Sequence, residues 1–245
     1  MRRAIALVIL LAGCNRVFGL RETELIDGGD SVPPDSLPAN CRAADYQVDK
    51  DTYLLDATPH GLEDAVRVDS THPGLFRFAI SYQPGEYIAA AVMHMAVVAK
   101  ADACAAACGA CPVDQATKFR AYWNNSSWSD NDATSTNRRA TSAWDGELAT
   151  GSTDRSAQIV QAALTSSPGV VDLALHMVDI APSLRATSAD WIRYDSASVP
   201  PQYQITVQLL TDAPIAFASD DRDTSTCQDP ISPASVTLTL CTPAL

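Results

Sequence analysis

The sequence predicts an all-β chain built as a β-sandwich with one short helix, and three observations carry that reading. Between residues 41 and 212, about eight short apolar runs are each bounded by Pro, Gly, Asp or Ser, the punctuation of strands and turns. Only one segment, Asp154 to Leu164, spaces its apolar residues Ile159, Val160, Ala163 and Leu164 as a helix would. A single short helix among many strands argues for a sandwich over a parallel α/β sheet, which needs a helix after nearly every strand.

Residues 1–13 read as an export signal. Arg2 and Arg3 form the charged start, Ala4 to Leu10 the apolar stretch, and Leu11-Ala12-Gly13-Cys14 a cleavage site with small residues before the cysteine. This resembles the signal of bacterial lipoproteins, and the resemblance implies that Cys14 becomes the lipidated N-terminus of an exported, membrane-anchored protein. Two or three acyl chains suffice for stable attachment, since each buried methylene contributes about 0.8 kcal/mol. Asn15 stands where inner-membrane retention signals usually carry Asp, and resemblance to enterobacterial lipoprotein sorting implies the outer membrane or cell surface. The longest other apolar run, Ile88 to Ala99, is broken by His94 and falls short of the roughly 20 residues of a membrane-spanning helix.

Residues 14–40 form the anchor and a disordered acidic, Pro-containing tether. Gly28-Gly29, Pro33-Pro34, Pro38 and the acids Glu22, Glu24, Asp27, Asp30 and Asp35 leave no sustained apolar period to bury. The sandwich domain spans 41–212. Its expected strands are Thr52 to Asp56, Ala65 to Asp69, Leu75 to Ser81, Ile88 to Ala99, Lys118 to Trp123, Val170 to Val178, Trp191 to Tyr194 and Gln202 to Leu210. Thr153 or Asp154 can cap the Asp154 to Leu164 helix through a side-chain oxygen. The 136–152 stretch reads as a polar, irregular loop, and residues 213–245 as a disulfide-linked C-terminal extension ending in a β-like run.

Six cysteines remain once Cys14 is assigned to lipid: Cys41, Cys104, Cys108, Cys111, Cys227 and Cys241. An even number in an exported chain reads as a disulfide framework that staples loops. With three of the six between 104 and 111, at least one of that trio must bond elsewhere if all pair. A Cys227–Cys241 bond is the expected closure of the extension. The spacing Cys104-x3-Cys108-x2-Cys111 matches the iron–sulfur motif of radical-SAM enzymes, but an Ala-rich loop in an exported chain lacks the βαβ setting of that chemistry. Zinc is disfavoured because no His lies near the trio.

The formal net charge is −12, and the signal holds two of the 17 basic residues and none of the 29 acids, so the mature chain stands at −14. Such a chain repels phosphate backbones, which excludes nucleic acid as a natural partner.

The order of several short pieces resembles the DNRLRE-type, disaggregatase-related modules, a class of jelly-roll sandwich that includes carbohydrate-binding modules. These pieces are Asp51-Thr52-Tyr53, Val66-Arg67-Val68, the run Leu75 to Ser81, Tyr122 with Trp128-Ser129-Asp130, Asp154 with Ile159-Val160, and Asp195-Ser196 with Pro200 to Val207. The resemblance covers residues 49 to 210 and implies a jelly-roll winding and a polysaccharide ligand. The chain departs from the pattern in the Cys104 to Cys111 loop, in the polar run after Trp128 and in the C-terminal cysteines.

Tyr122, Trp123, Trp128, Trp144, Trp191 and Tyr194 are the aromatic candidates for a sugar platform. The resemblance implies that Trp128 and Trp191 are core, since their counterparts in that family look structural. Trp144, in a polar loop beside Asp145 and Gly146, is the expected platform, with Arg138 and Arg139 placed to pair with acidic sugars. Asp130 and Asp132, or Asp220, Asp221 and Asp223, could hold a structural calcium, although solvated acidic loops are the commoner outcome. Met93-His94-Met95 and His176-Met177 suggest copper at first sight, but on a strand Met93 and Met95 face one side and His94 the other. Neither a Gly-x-Ser-x-Gly elbow, a His-Glu-x-x-His motif nor a phosphate loop occurs, and no resident cofactor is expected. Two readings follow: a non-catalytic surface lipoprotein binding polysaccharide, or a structural or adhesive envelope lipoprotein with protein partners.

Overall fold

The computed structural model describes residues 37–83, 85–100, 104–105, 109–113, 116–167, 169–175, 192–196, 201–222 and 231–243. The signal and tether up to residue 36 lie outside the described residues, as do Cys14, Cys108, Trp191, Asp223 and Cys227.

The strands are β1 (Cys41–Tyr53), β2 (Ala65–Val68), β3 (Gly74–Ile80), β4 (Tyr87–Lys100), β5 (Cys104–Ala105), β6 (Phe119–Asn124), β7 (Asn137–Arg139) and β8 (Ser142–Ala143). They continue with β9 (Arg155–Gln158), β10 (Val160–Ser167), β11 (Val170–Leu175), β12 (Arg193–Asp195), β13 (Gln202–Thr211), β14 (Ile215–Ala218) and β15 (Ser235–Cys241). All observed pairings are antiparallel, and the strands make a large sheet folded into a sandwich-like arrangement. One face runs β10-β11-β4-β15-β1 and the other β1-β3-β13-β6-β9.

β1 belongs to both faces. Its first half pairs with β15, from Cys41↔Cys241 to Gln47↔Ser235, and its second half with β3, from Val48↔Phe78 to Tyr53↔Gly74. A bulge at Asp49, between the Val48 and Lys50 pairs, lets the strand bend from one face to the other. Inward residues from both faces make the main core, including Phe76, Phe78, Met93, Met95, Trp123, Leu173, Val207, Phe217 and Leu238.

A second core explains the segment after β6. Leu54, Leu75, Trp128, Ala133, Trp144 and Ala149 pack together on the outer side of the β1-β3-β13 face. Trp128 Nε1 donates to Thr206 Oγ1 at 3.2 Å and Gln208 Nε2 to the Leu148 carbonyl at 3.1 Å, so the layer meets the polar residues that β13 presents outward. The 136–152 stretch is therefore a packed cover, carrying the β7-β8 hairpin and one 3-10 turn at Glu147–Ala149.

Two expectations are corrected. Asp154 to Leu164 is not a helix: it forms β9 and β10, with β9 on β6 and β10 on β11. A helix of that length is marginal alone, and strand partners on both sides override its spacing. Asp154 caps a turn instead, its buried carboxylate accepting from the Ser126 hydroxyl and from the Asp145 and Gly146 amides at 2.7 and 3.2 Å. The described parts of 213–245 are likewise no appendage. β14 sits between β2 and β4, and β15 is an interior strand between β4 and β1. Accordingly Cys241 bonds to Cys41, 200 residues away, and not to Cys227. Cys111 is disulfide-bonded too, to a partner whose side chain lies outside those described.

Candidate functional site

Three tyrosines meet at the end of the sandwich where β3 runs out. Tyr194 on β12 and Tyr203 on β13 are direct cross-strand partners, with ring centroids 5.1 Å apart. Tyr82, in the turn between β3 and β4, meets Tyr203 edge to face at 4.8 Å. The three rings form a continuous ledge that grades from core to solvent. Tyr82 and Tyr203 are half-buried against the core, while Tyr194 is 59% exposed.

An ion pair fixes the ledge. Arg42 on β1 grips Glu86 with two parallel bonds, Nε to Oε1 at 2.7 Å and Nη2 to Oε2 at 2.9 Å, a fork that Lys could not reproduce. Glu86 also accepts the Gln83 amide at 2.7 Å, and Arg42 and the Tyr46 hydroxyl both donate to the Ser81 carbonyl. The turn is thereby tied at both ends, and the Tyr82 hydroxyl donates to the Glu86 carbonyl at 3.1 Å. The Arg42 bond holds the Glu86 carboxyl below its usual range, and the same bond raises Arg42. A ring set held this way loses little entropy when a flat apolar surface stacks on it.

The expected platform residues do not assemble. Trp144 is 6% exposed, packs against Trp128 and Leu75, and donates from Nε1 to the Thr134 carbonyl at 2.8 Å. It offers no ring face to a ligand, because the layer over β13 needs its bulk. Arg139 is exposed and donates to the Ser127 hydroxyl, and Arg138 is half-buried on the same hairpin. Trp128 is core as expected, Trp123 is buried, and Tyr122 lies half-buried under the Arg155 guanidinium at 4.4 Å. Tyr194 alone among the named aromatics belongs to the ledge.

Asp130 pairs with Lys50 at 3.2 Å, and Asp132 is half-buried in the turn after Trp128. Among the described residues no three His, Cys, Asp or Glu side chains converge as metal ligands. Met93 and Met95 are buried, whereas His94 lies on the other side of β4 and bonds Asp172 through Nδ1 at 2.7 Å, so the three do not converge.

The sequence reading missed Arg42, Glu86, Tyr82 and Tyr203, since no local spacing joins residues 42, 82 and 203. It also missed Asp51, which is 1% exposed and accepts from the Ser219 hydroxyl at 2.8 Å and the Asp220 amide at 2.9 Å. Burial, with the Asp220 carboxylate beside it, pushes the Asp51 carboxyl up to about 8.

No family model matches the chain, and no relative is found among curated proteins.

Proposed function

We propose that this chain is a non-catalytic lipoprotein, held at the outer membrane or cell surface through Cys14, that binds polysaccharide on the Tyr82-Tyr203-Tyr194 ledge. The observation that carries the reading is an exposed ring backed by two half-buried ones, on a turn locked by a part-buried Arg–Glu fork. Sugar rings present flat apolar faces, and stacking them on preordered aromatic rings needs no catalytic group. The likeness to carbohydrate-binding jelly-roll modules points the same way.

Calorimetry of the detergent-solubilised chain against neutral and acidic glycans, with and without calcium, tests it. Tyr194→Ala should weaken binding by about 0.5–1.5 kcal/mol, or roughly 2- to 10-fold. Absence of heat with every glycan, or binding equal in the variant, removes the ledge as the site. For the anchor, fatty-acid labelling should be lost in Cys14→Ala.

A further inference from the structure

At the opposite end of β3 from the ledge, a cleft of about 450 Å³ opens beside the edge strand β2. Its origin is legible in the register. Arg67, Ala216 and Ala99 stand in one row across β2, β14 and β4, so a long side chain neighbours two short ones and the sheet surface is hollow beside it. Leu55 and Ala65 extend the apolar lining. The volume lies within the range of small-molecule sites, and a mostly apolar wall with few polar groups is their usual composition.

The polar groups at this cleft are Arg67, Asp69, His72 and Tyr53. Asp69 is already committed. Its carboxylate accepts from the Thr71 amide at 2.7 Å, the Thr71 hydroxyl at 2.8 Å, the His72 amide at 2.8 Å and His72 Nδ1 at 2.8 Å. These bonds hold its carboxyl down to about 2, although partial burial works against them. The Tyr53 hydroxyl is committed as well, donating to Glu63 at 2.8 Å. Arg67 is different: its side chain is 69% exposed, its nearest carboxylate oxygen, on Glu63, is 3.9 Å away, and its guanidinium stands 5.9 Å from the Tyr53 ring centroid. The cleft thus pairs an apolar hollow with one loosely held cation, and its one lining acid, Asp69, is already bonded.

We propose that this cleft is a second binding site, for a small amphiphile whose apolar body fills the hollow over Ala99 and Ala216 and whose anionic head pairs with Arg67. Charge complementarity selects the anion. A planar guanidinium binds a carboxylate or sulfonate through two parallel bonds, which outmatches a single contact at 3.9 Å. The site is independent of the tyrosine ledge.

The test is a fluorescence titration of the full chain with 1-anilinonaphthalene-8-sulfonate, an apolar ring system bearing a sulfonate, run beside the uncharged N-phenyl-1-naphthylamine. Saturable enhancement with both probes is expected. Arg67→Ala should weaken the sulfonate about tenfold and leave the neutral probe nearly unchanged. Ala65→Leu, which adds bulk at the lining, should weaken both, and Tyr194→Ala neither, so that failure here and failure of the glycan reading are separable. Circular dichroism melts verify that each variant is folded. Lack of saturable enhancement, equal sulfonate binding in Arg67→Ala, or indifference of both probes to Ala65→Leu overturns the proposal.

Discussion

Removing the Cys41–Cys241 bond should cost more than removing any ordinary loop staple. The two cysteines are 200 residues apart, so the bond closes nearly the whole domain into one covalent ring. Chain-entropy arithmetic gives about 5 kcal/mol at 25 °C for a loop of that length, against roughly 3 kcal/mol for the 15-residue loop that a Cys227–Cys241 bond would close. The native state is held locally without it: Asn40 Nδ2 donates to the Thr242 carbonyl at 2.6 Å, and the Thr242 amide returns a bond to Asn40 at 2.9 Å. The loss should therefore fall mainly on the unfolded state, which becomes freer. The double variant Cys41→Ala, Cys241→Ala avoids leaving a lone thiol, and urea unfolding under oxidising conditions reads the difference as a lower midpoint. A change below about 1 kcal/mol would refute the ring argument. So would a mapped peptide joining Cys241 to any cysteine except Cys41.

Trp144→Ala should destabilise the domain by about 3–5 kcal/mol in urea unfolding, since it empties the second core, and Trp144→Phe by about 1–3 kcal/mol through the orphaned Thr134 carbonyl. Either variant near wild type would mean the ring is not core. Asp51 has a carboxyl raised by burial and by Asp220, so the folded state holds its proton more tightly than the unfolded chain. Its contribution is complete below the ordinary carboxylate range and fades as pH rises toward about 8, by up to about 1.4 kcal/mol per pH unit. Stability measured from pH 5 to 8 should fall in the wild type and stay flatter in Asp51→Asn; parallel profiles would contradict this. Arg42→Met should loosen the 81–86 turn and weaken glycan binding without moving the sulfonate probe, as paired titrations of the two ligands would read.

The alternation and turn chemistry of Leu75 to Ser81, Ile88 to Ala99 and Gln202 to Leu210 located β3, β4 and β13 to within a residue or two, because a buried strand writes its burial into its own residues. Asp154 to Leu164 misled because Ile159, Val160, Ala163 and Leu164 fit a helix as well as two broken strands. Only strand pairing decides between them: β9 lies on β6, which is remote in sequence, and β10 folds back on β11, which directly follows it. The polar composition of 136–152 suggested solvent for the same reason. Its Leu148 carbonyl accepts from Gln208 of β13, and its Trp144 packs with Trp128, which bonds Thr206, so a segment poor in apolar residues still packs around two tryptophans.

The sequence by itself determined the strand-rich class, the placement of most central strands and the disulfide-bearing character, all of which follow from local composition. Only the tertiary structure decided that Cys241 meets Cys41, that Trp144 faces inward and that Tyr82, Tyr194 and Tyr203 form one surface. Those facts depend on which strands become neighbours. In an antiparallel sheet, register joins residues hundreds of positions apart, and no local pattern carries that pairing.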